Sequence, residues 1–176
     1  MRKGFTLIET LVAVSLLAVA IVAPMSLTSK SLAAAYYARD QVTAFSLAQE
    51  AIESVRHVRD HNILETALGN PTNLLSGFPS TTGDPFIIDA VNDAMTPCDE
   101  TCPPLRTNGL LYSYGTGPEW EDTRFTRTVH AVFVGESQDE IRIEVEVEWL
   151  AGAFQTRSVT ITENLYRWVN DGSATE

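Results

Sequence analysis

The sequence predicts an α+β fold in which one very long N-terminal helix packs on a C-terminal antiparallel sheet of three to four strands. Three observations carry this expectation. From Phe5 to Ser29 the only charged side chain is Glu9, and a helix needs ~20 such residues, at about 1.5 Å each, to cross a bilayer. Beyond Lys30, apolar residues keep recurring at steps of three and four, the helical period. From Phe125 onward the spacing changes to two, the signature of strands with one buried face.

Composition bounds the remaining possibilities. At 176 residues the chain suits one ordinary domain with an appendage, and its 44% hydrophobic content supplies a core and argues against disorder. Its 12 basic and 23 acidic residues leave a formal charge of −11. Such a chain repels phosphate, so broad nucleic-acid binding is excluded as a function class. The two lysines, Lys3 and Lys30, stand at the edges of the apolar run.

Taken in order, the chain opens with the basic tail 1–4, whose Arg2 and Lys3 the positive-inside rule places in the cytoplasm. The remainder is then extracytoplasmic. Residues 5–29 form the spanning half of the helix. A secretory signal peptide, with a cleavage site near Ser31 to Ala35, is the alternative reading of this region, and it leaves Glu9 unexplained. A carboxylate within a bilayer costs up to roughly 2.5–3.5 kcal/mol unless it is paired. A cut between Gly4 and Phe5 would create an α-ammonium, and that group on a neighbouring subunit has the sign needed to pair with Glu9. Pro24 removes one backbone donor from the same helix and predicts a kink or local melting there.

Residues 30–62 read as the amphipathic half of the helix, with Ala35, Ala38, Val42, Phe45, Ala48, Ile52 and Val55 on the apolar line. Gly, Pro, Asn, Ser and Thr interrupt residues 63–123, which predicts an irregular connection with short strands at Phe86 to Ile88 and Leu110 to Tyr112. Residues 124–176 alternate through Phe125, Val129, Ala131 and Phe133, then Ile141 to Trp149, then Val159 and Ile161. Turns fall at Gly135 to Asp139 and Ala151 to Ala153, which makes this region an antiparallel meander.

The octapeptide Arg2-Lys3-Gly4-Phe5-Thr6-Leu7-Ile8-Glu9, followed by an uninterrupted apolar helix, resembles the class III leader and processing site of type IV prepilins and type II secretion pseudopilins. The run from Leu47 to Arg56 is similar to the same region of minor pilins and I-class minor pseudopilins. The resemblance implies the type IV pilin fold and cleavage by a prepilin peptidase between Gly4 and Phe5. It also implies N-methylation of Phe5, and a proline near the depth of Pro24 marks, in that family, the part of the helix that loosens on assembly. Implied partners are membrane lipid, an inner-membrane assembly platform and other pilin subunits in a helical filament.

Few other constellations carry chemistry. Cys98 and Cys102 lack the further thiolates or histidines of a zinc site; in an exported loop they predict a local disulfide, with free thiols as the alternative. His57 and His61 have a metal-compatible spacing but lack the Glu of the zinc-protease motif and read as polar residues of the last helical turns. Glu144, Glu146 and Glu148 share one strand face and read as a solvated face, with calcium as the alternative. No nucleophile with a local base, P-loop or dinucleotide-binding glycine pattern is present, so the sequence predicts a structural protein without catalytic residues, metal or cofactor.

Overall fold

The computed structural model describes residues 4, 6–70, 72–73, 75–92, 94–99, 101–136, 139–152 and 155–167. One helix, α1 (Leu7–Ala67), is followed by seven strands: β1 (Phe86–Asp89), β2 (Ala94–Pro97), β3 (Pro104–Thr107), β4 (Tyr112–Ser113), β5 (Glu121–Phe133), β6 (Glu140–Ala151) and β7 (Gln155–Tyr166). The chain divides into two compact units, Met1–Asp40 and Gln41–Glu176.

In the first unit the large apolar side chains from Leu7 to Leu32 are all exposed. The hydroxyls of Thr10, Ser15, Thr28 and Ser29 turn back onto the carbonyls of Leu7, Leu11, Pro24 and Met25 at 2.8–3.1 Å. A hydroxyl satisfied by its own helix no longer needs water, so these residues do not oppose an apolar environment. The helix continues through Pro24 without interruption.

The second unit is built on the meander. β5, β6 and β7 pair antiparallel in consecutive register, from Phe125 opposite Trp149 to Phe133 opposite Ile141, and from Glu140 opposite Tyr166 to Ala151 opposite Gln155. The free edge of β5 is shared by two hairpins. β3 and β4 lie along its N-terminal half, whereas β1 and β2 join it at Phe86 opposite Val129. Ile141, Ile143, Val145, Val147 and Trp149 are buried on one face, as their period of two requires.

Against that face lie Ala44, Leu47, Ala48, Ala51, Ile52 and Val55 of α1. The three alanines end at Cβ and let the layers close, while the larger residues fill the space between strands. This stripe differs from the expected one. Val42 and Phe45, which the helical period places on the apolar line, are exposed, and Ala44, Leu47 and Ala51 take the buried positions. Ala48, Ile52 and Val55 of the expected line are buried in the core, so the line holds beyond Phe45 and departs from the buried stripe at Val42 and Phe45.

The irregular region holds more structure than its composition implies. The strand at Phe86 to Ile88 is present as β1, whereas Leu110 and Leu111 lie in the turn before β4. β2 and β3 went unpredicted because neither alternates: β2 is mostly exposed, β3 begins with Pro104, and only Leu105 of the latter is buried. Pairing with β1 and β5 makes them strands, a tertiary cause that local composition does not carry. Gly115 is required by packing, since a Cβ there would fall 2.4 Å from the Trp120 ring. The helix ends at Ala67, beyond the expected Asn62, whose side chain is buried and donates to the carbonyl of Ser76 at 3.0 Å.

Candidate functional site

The N-terminal segment is the first candidate. Thr6 caps the helix: its Oγ1 accepts from the Glu9 amide at 3.4 Å, and its carbonyl accepts from the same amide at 3.1 Å. Thr6 and Glu9 thus occupy the spacing of a capping box, which gives Glu9 a local role at the positive end of the helix dipole. A cap contributes roughly 0.5–2 kcal/mol. That falls short of the bilayer cost of an unpaired carboxylate, so capping alone leaves Glu9 unexplained in an apolar helix. Glu9 is exposed and makes no ion pair among the described residues. Gly4 is exposed with open space around it, and Phe5 lies outside the described residues. With a mean hydropathy of 2.3 over its best window, none of it buried, α1 is long and apolar enough to cross a membrane.

The second candidate is a buried polar assembly at the centre of the helix and sheet contact. Arg127 is 0% exposed on the core face of β5, in line with Phe125, Val129 and Ala131. Its Nη1 donates to Glu50 Oε2 at 2.7 Å and to the Leu47 carbonyl at 3.0 Å, and its Nη2 donates to the Ile88 carbonyl. One side chain therefore ties α1, β1 and β5 together. Its Nε is buried without a partner. The Tyr114 hydroxyl donates to the Arg127 carbonyl at 3.3 Å, and burial pushes that phenol above its ordinary range.

Beside it Asp89 is also buried. Burial raises its carboxyl, but donors from Ser113, the Val91 amide, Asn92 and the Tyr114 amide outweigh that effect and hold it below the usual carboxylate range. A second ion pair, Arg56 to Glu163, fastens α1 to β7, and the hydrogen bonds that Arg56 donates to Glu163 raise the guanidinium above its ordinary value. Glu50, Arg56 and Glu163 also border an open surface groove with Phe45, Gln49 and Ile161, but apart from the Arg127 Nε the buried groups are engaged with one another, so the arrangement serves as a structural lock.

The other sequence candidates remain apart. Cys98 and Cys102 are joined as a disulfide in the loop after β2, with Cα atoms 5.1 Å apart, and the Cys98 amide donates to the Pro85 carbonyl. His57 and His61 are exposed on α1, and Glu144 to Glu148 lie on the outer face of β6 opposite His130, Thr128 and Thr126 of β5. No group of three or more His, Cys, Asp or Glu suited to a metal ion exists among the described residues. The sequence reading missed Arg127 and Asp89. The signal for Arg127 was present: a charged residue at a core position of an alternating strand demands a buried partner.

Comparison with known proteins adds one match. Residues 1–23 match the family model described as the prokaryotic N-terminal methylation motif. No curated protein and no solved structure matches the chain at significance. A long N-terminal apolar helix with a C-terminal antiparallel sheet is consistent with the type IV pilin fold.

Proposed function

We propose that this chain is a minor pilin or minor pseudopilin, a structural subunit that a prepilin peptidase processes between Gly4 and Phe5. The carrying observation is the methylation motif over residues 1–23 at the head of a helix whose described residues up to Ser29 are exposed and carry the one charge Glu9. The subunit resides in the inner membrane through residues 5–29, with its N-terminus inside. An assembly platform then passes it, with other subunits, into a helical filament.

Each part of the helix has a task in this reading. Apolar side chains exchange lipid for the helices of neighbours. Glu9 pairs with the methylated Phe5 ammonium of an adjacent subunit, and Pro24 marks where the helix loosens on transfer. The self-contained core beyond residue 40 supports a structural role outside the membrane. The resemblance of Leu47 to Arg56 supports the minor rather than the major class.

Intact mass of the membrane-extracted protein tests the reading. A product lacking the four leader residues and carrying one added methyl group is expected, and Gly4→Leu should accumulate as the full-length precursor. An unprocessed Met1 terminus in cells that hold the peptidase would instead favour a membrane-anchored extracytoplasmic binding or enzymatic domain.

A further inference from the structure

Two tyrosines close the exposed part of α1. Tyr36 is 52% exposed and Tyr37 40%, and neither belongs to the core, whose first residue is Ala44. The Arg39 guanidinium lies over the Tyr36 ring, 5.5 Å from its centroid, and donates to Asp40 at 3.2 Å. The two charges of this turn therefore offset each other. A tyrosine joins an apolar ring to a polar tip, and a side chain of that kind favours the boundary between lipid and water.

The charges of the same helix set how far these rings lie from the hydrocarbon. Residues 10–29 carry no charge and rise about 30 Å, the thickness of a bilayer's hydrocarbon layer. Glu9 closes that stretch at one end and Lys30 at the other; Lys30 is exposed and makes no ion pair among the described residues. Sliding the helix toward its N-terminal side carries Lys30 into the hydrocarbon, and sliding it the other way carries Glu9 deeper. Charge thus opposes displacement in both directions. Tyr36 stands about 9 Å of helix beyond Lys30, and Leu32 with the alanines 33–35 fills the step between them with apolar surface. A helical side chain leans back over the turn that precedes it, so each ring returns about 5 Å of its distance. The two phenols therefore fall roughly 4–5 Å outside the hydrocarbon, within a headgroup layer about 5–7 Å deep. All of these residues belong to the first unit, so the placement concerns this helix alone.

We propose that Tyr36 and Tyr37 seat in the lipid headgroups of the leaflet opposite the N-terminus, with the Lys30 ammonium on the lipid phosphates beneath them. This rests on the reading that the apolar helix spans, and it gives that helix a fixed depth and an outer anchor. The ring faces meet the upper acyl boundary while the hydroxyls keep water. Arg39, already paired with Asp40, adds no demand for anionic lipid, so the aromatic contact forms on a zwitterionic surface.

The test uses the full chain in phosphatidylcholine vesicles, with Cys98 and Cys102 oxidised so that only an introduced thiol takes a nitroxide label. Val19→Cys lies mid-span, Tyr36→Cys lies at the anchor with Tyr37 retained, and Ala33→Cys lies beside two intact tyrosines. Collisions with oxygen and with a water-soluble nickel chelate read the depth of each label. The expected result is hydrocarbon depth at 19 and headgroup depth at 33 and 36. With the label at 33, Tyr36→Ser together with Tyr37→Ser should raise nickel collisions at least about twofold, because the end of the helix is no longer held. Bulk-water behaviour or hydrocarbon depth at 36, with hydrocarbon depth at 19, overturns the anchor and leaves the span intact. Bulk water at 19 overturns both. No change at 33 in the doubly substituted chain overturns the role of the tyrosines. A depth at 36 that varies with the ratio of protein to lipid also overturns the proposal, by assigning the rings to a second copy of the chain.

Discussion

Replacing Glu50 should destabilise the folded unit more than replacing Arg127, although Arg127 is the more deeply buried partner. Arg127 is 0% exposed and the Glu50 side chain 40%, and they meet at 2.7 Å. Arg127→Met removes the buried charge along with its bonds. The Leu47 carbonyl lies inside α1 and keeps its helical donor, so the loss falls mainly on the Ile88 carbonyl and the Glu50 carboxylate, which reaches water. One unsatisfied buried acceptor costs about 1–3 kcal/mol, and methionine fills much of the arginine volume. Glu50→Ala instead strands the guanidinium in the core, where its Nε already lacks a partner. Breaking a buried pair this way costs roughly 3–5 kcal/mol, reduced here toward about 3 because water can follow the half-exposed carboxylate. Combining the substitutions should recover at least about 1 kcal/mol relative to their sum. Urea unfolding of the full chain in detergent, followed by tryptophan fluorescence, reads these differences as midpoint shifts at constant slope. If Arg127→Met proves the more damaging change, or if the two effects simply add, Glu50 does not compensate the buried charge and the lock is misassigned.

Further outcomes follow from the same geometry. Glu9→Val removes the one charge of the span, so membrane residence should persist while recovery in sheared filaments or filament number falls; lost insertion with normal filaments would sink the pairing mechanism. Cys98→Ser with Cys102→Ser should lower stability by at most about 2 kcal/mol, because a loop so short constrains the unfolded chain little, and a variant unable to fold would refute this. Asp89 titrates below the usual carboxylate range when folded, so its stabilisation is complete above the unfolded value near ~3.9 and is lost as pH falls through the folded one. Asp89→Asn should therefore flatten the loss of stability below about pH 4, measured by the urea midpoint against pH; an unchanged slope would exclude that origin.

What the sequence made legible is what a period can carry. A run whose one charge is Glu9 marked the apolar helix, and alternation from Phe125 to Ile161 marked three strands and their core-facing sides. Where the period was broken, reading stopped. Arg127 stands between Phe125 and Val129 on the same face, and its charge hid a core position because its partner Glu50 is remote in sequence. Val42 and Phe45 fit the helical line and are exposed, since the angle at which the sheet meets a helix depends on both layers. The short strands β2 and β3 exist only through their neighbours, and no local pattern announces a strand whose stability comes from pairing.

The division of labour between the two units bears on how such a subunit changes surroundings. Every buried apolar residue of the core lies at Ala44 or beyond, and the apolar side chains from Leu7 to Leu32 contribute nothing to it. Under the proposed function, moving this helix from lipid into a bundle of neighbouring helices would therefore expose none of these core residues. The aliphatic surface meets a similar apolar environment on either side of that exchange, so its burial discriminates weakly between bilayer and filament. Glu9 is different. In the proposed filament it is the one side chain between Phe5 and Ser29 for which a fixed cationic partner would change the energy by several kcal/mol, so under that proposal a preference for the assembled state over the lipid-embedded one would come largely from that carboxylate.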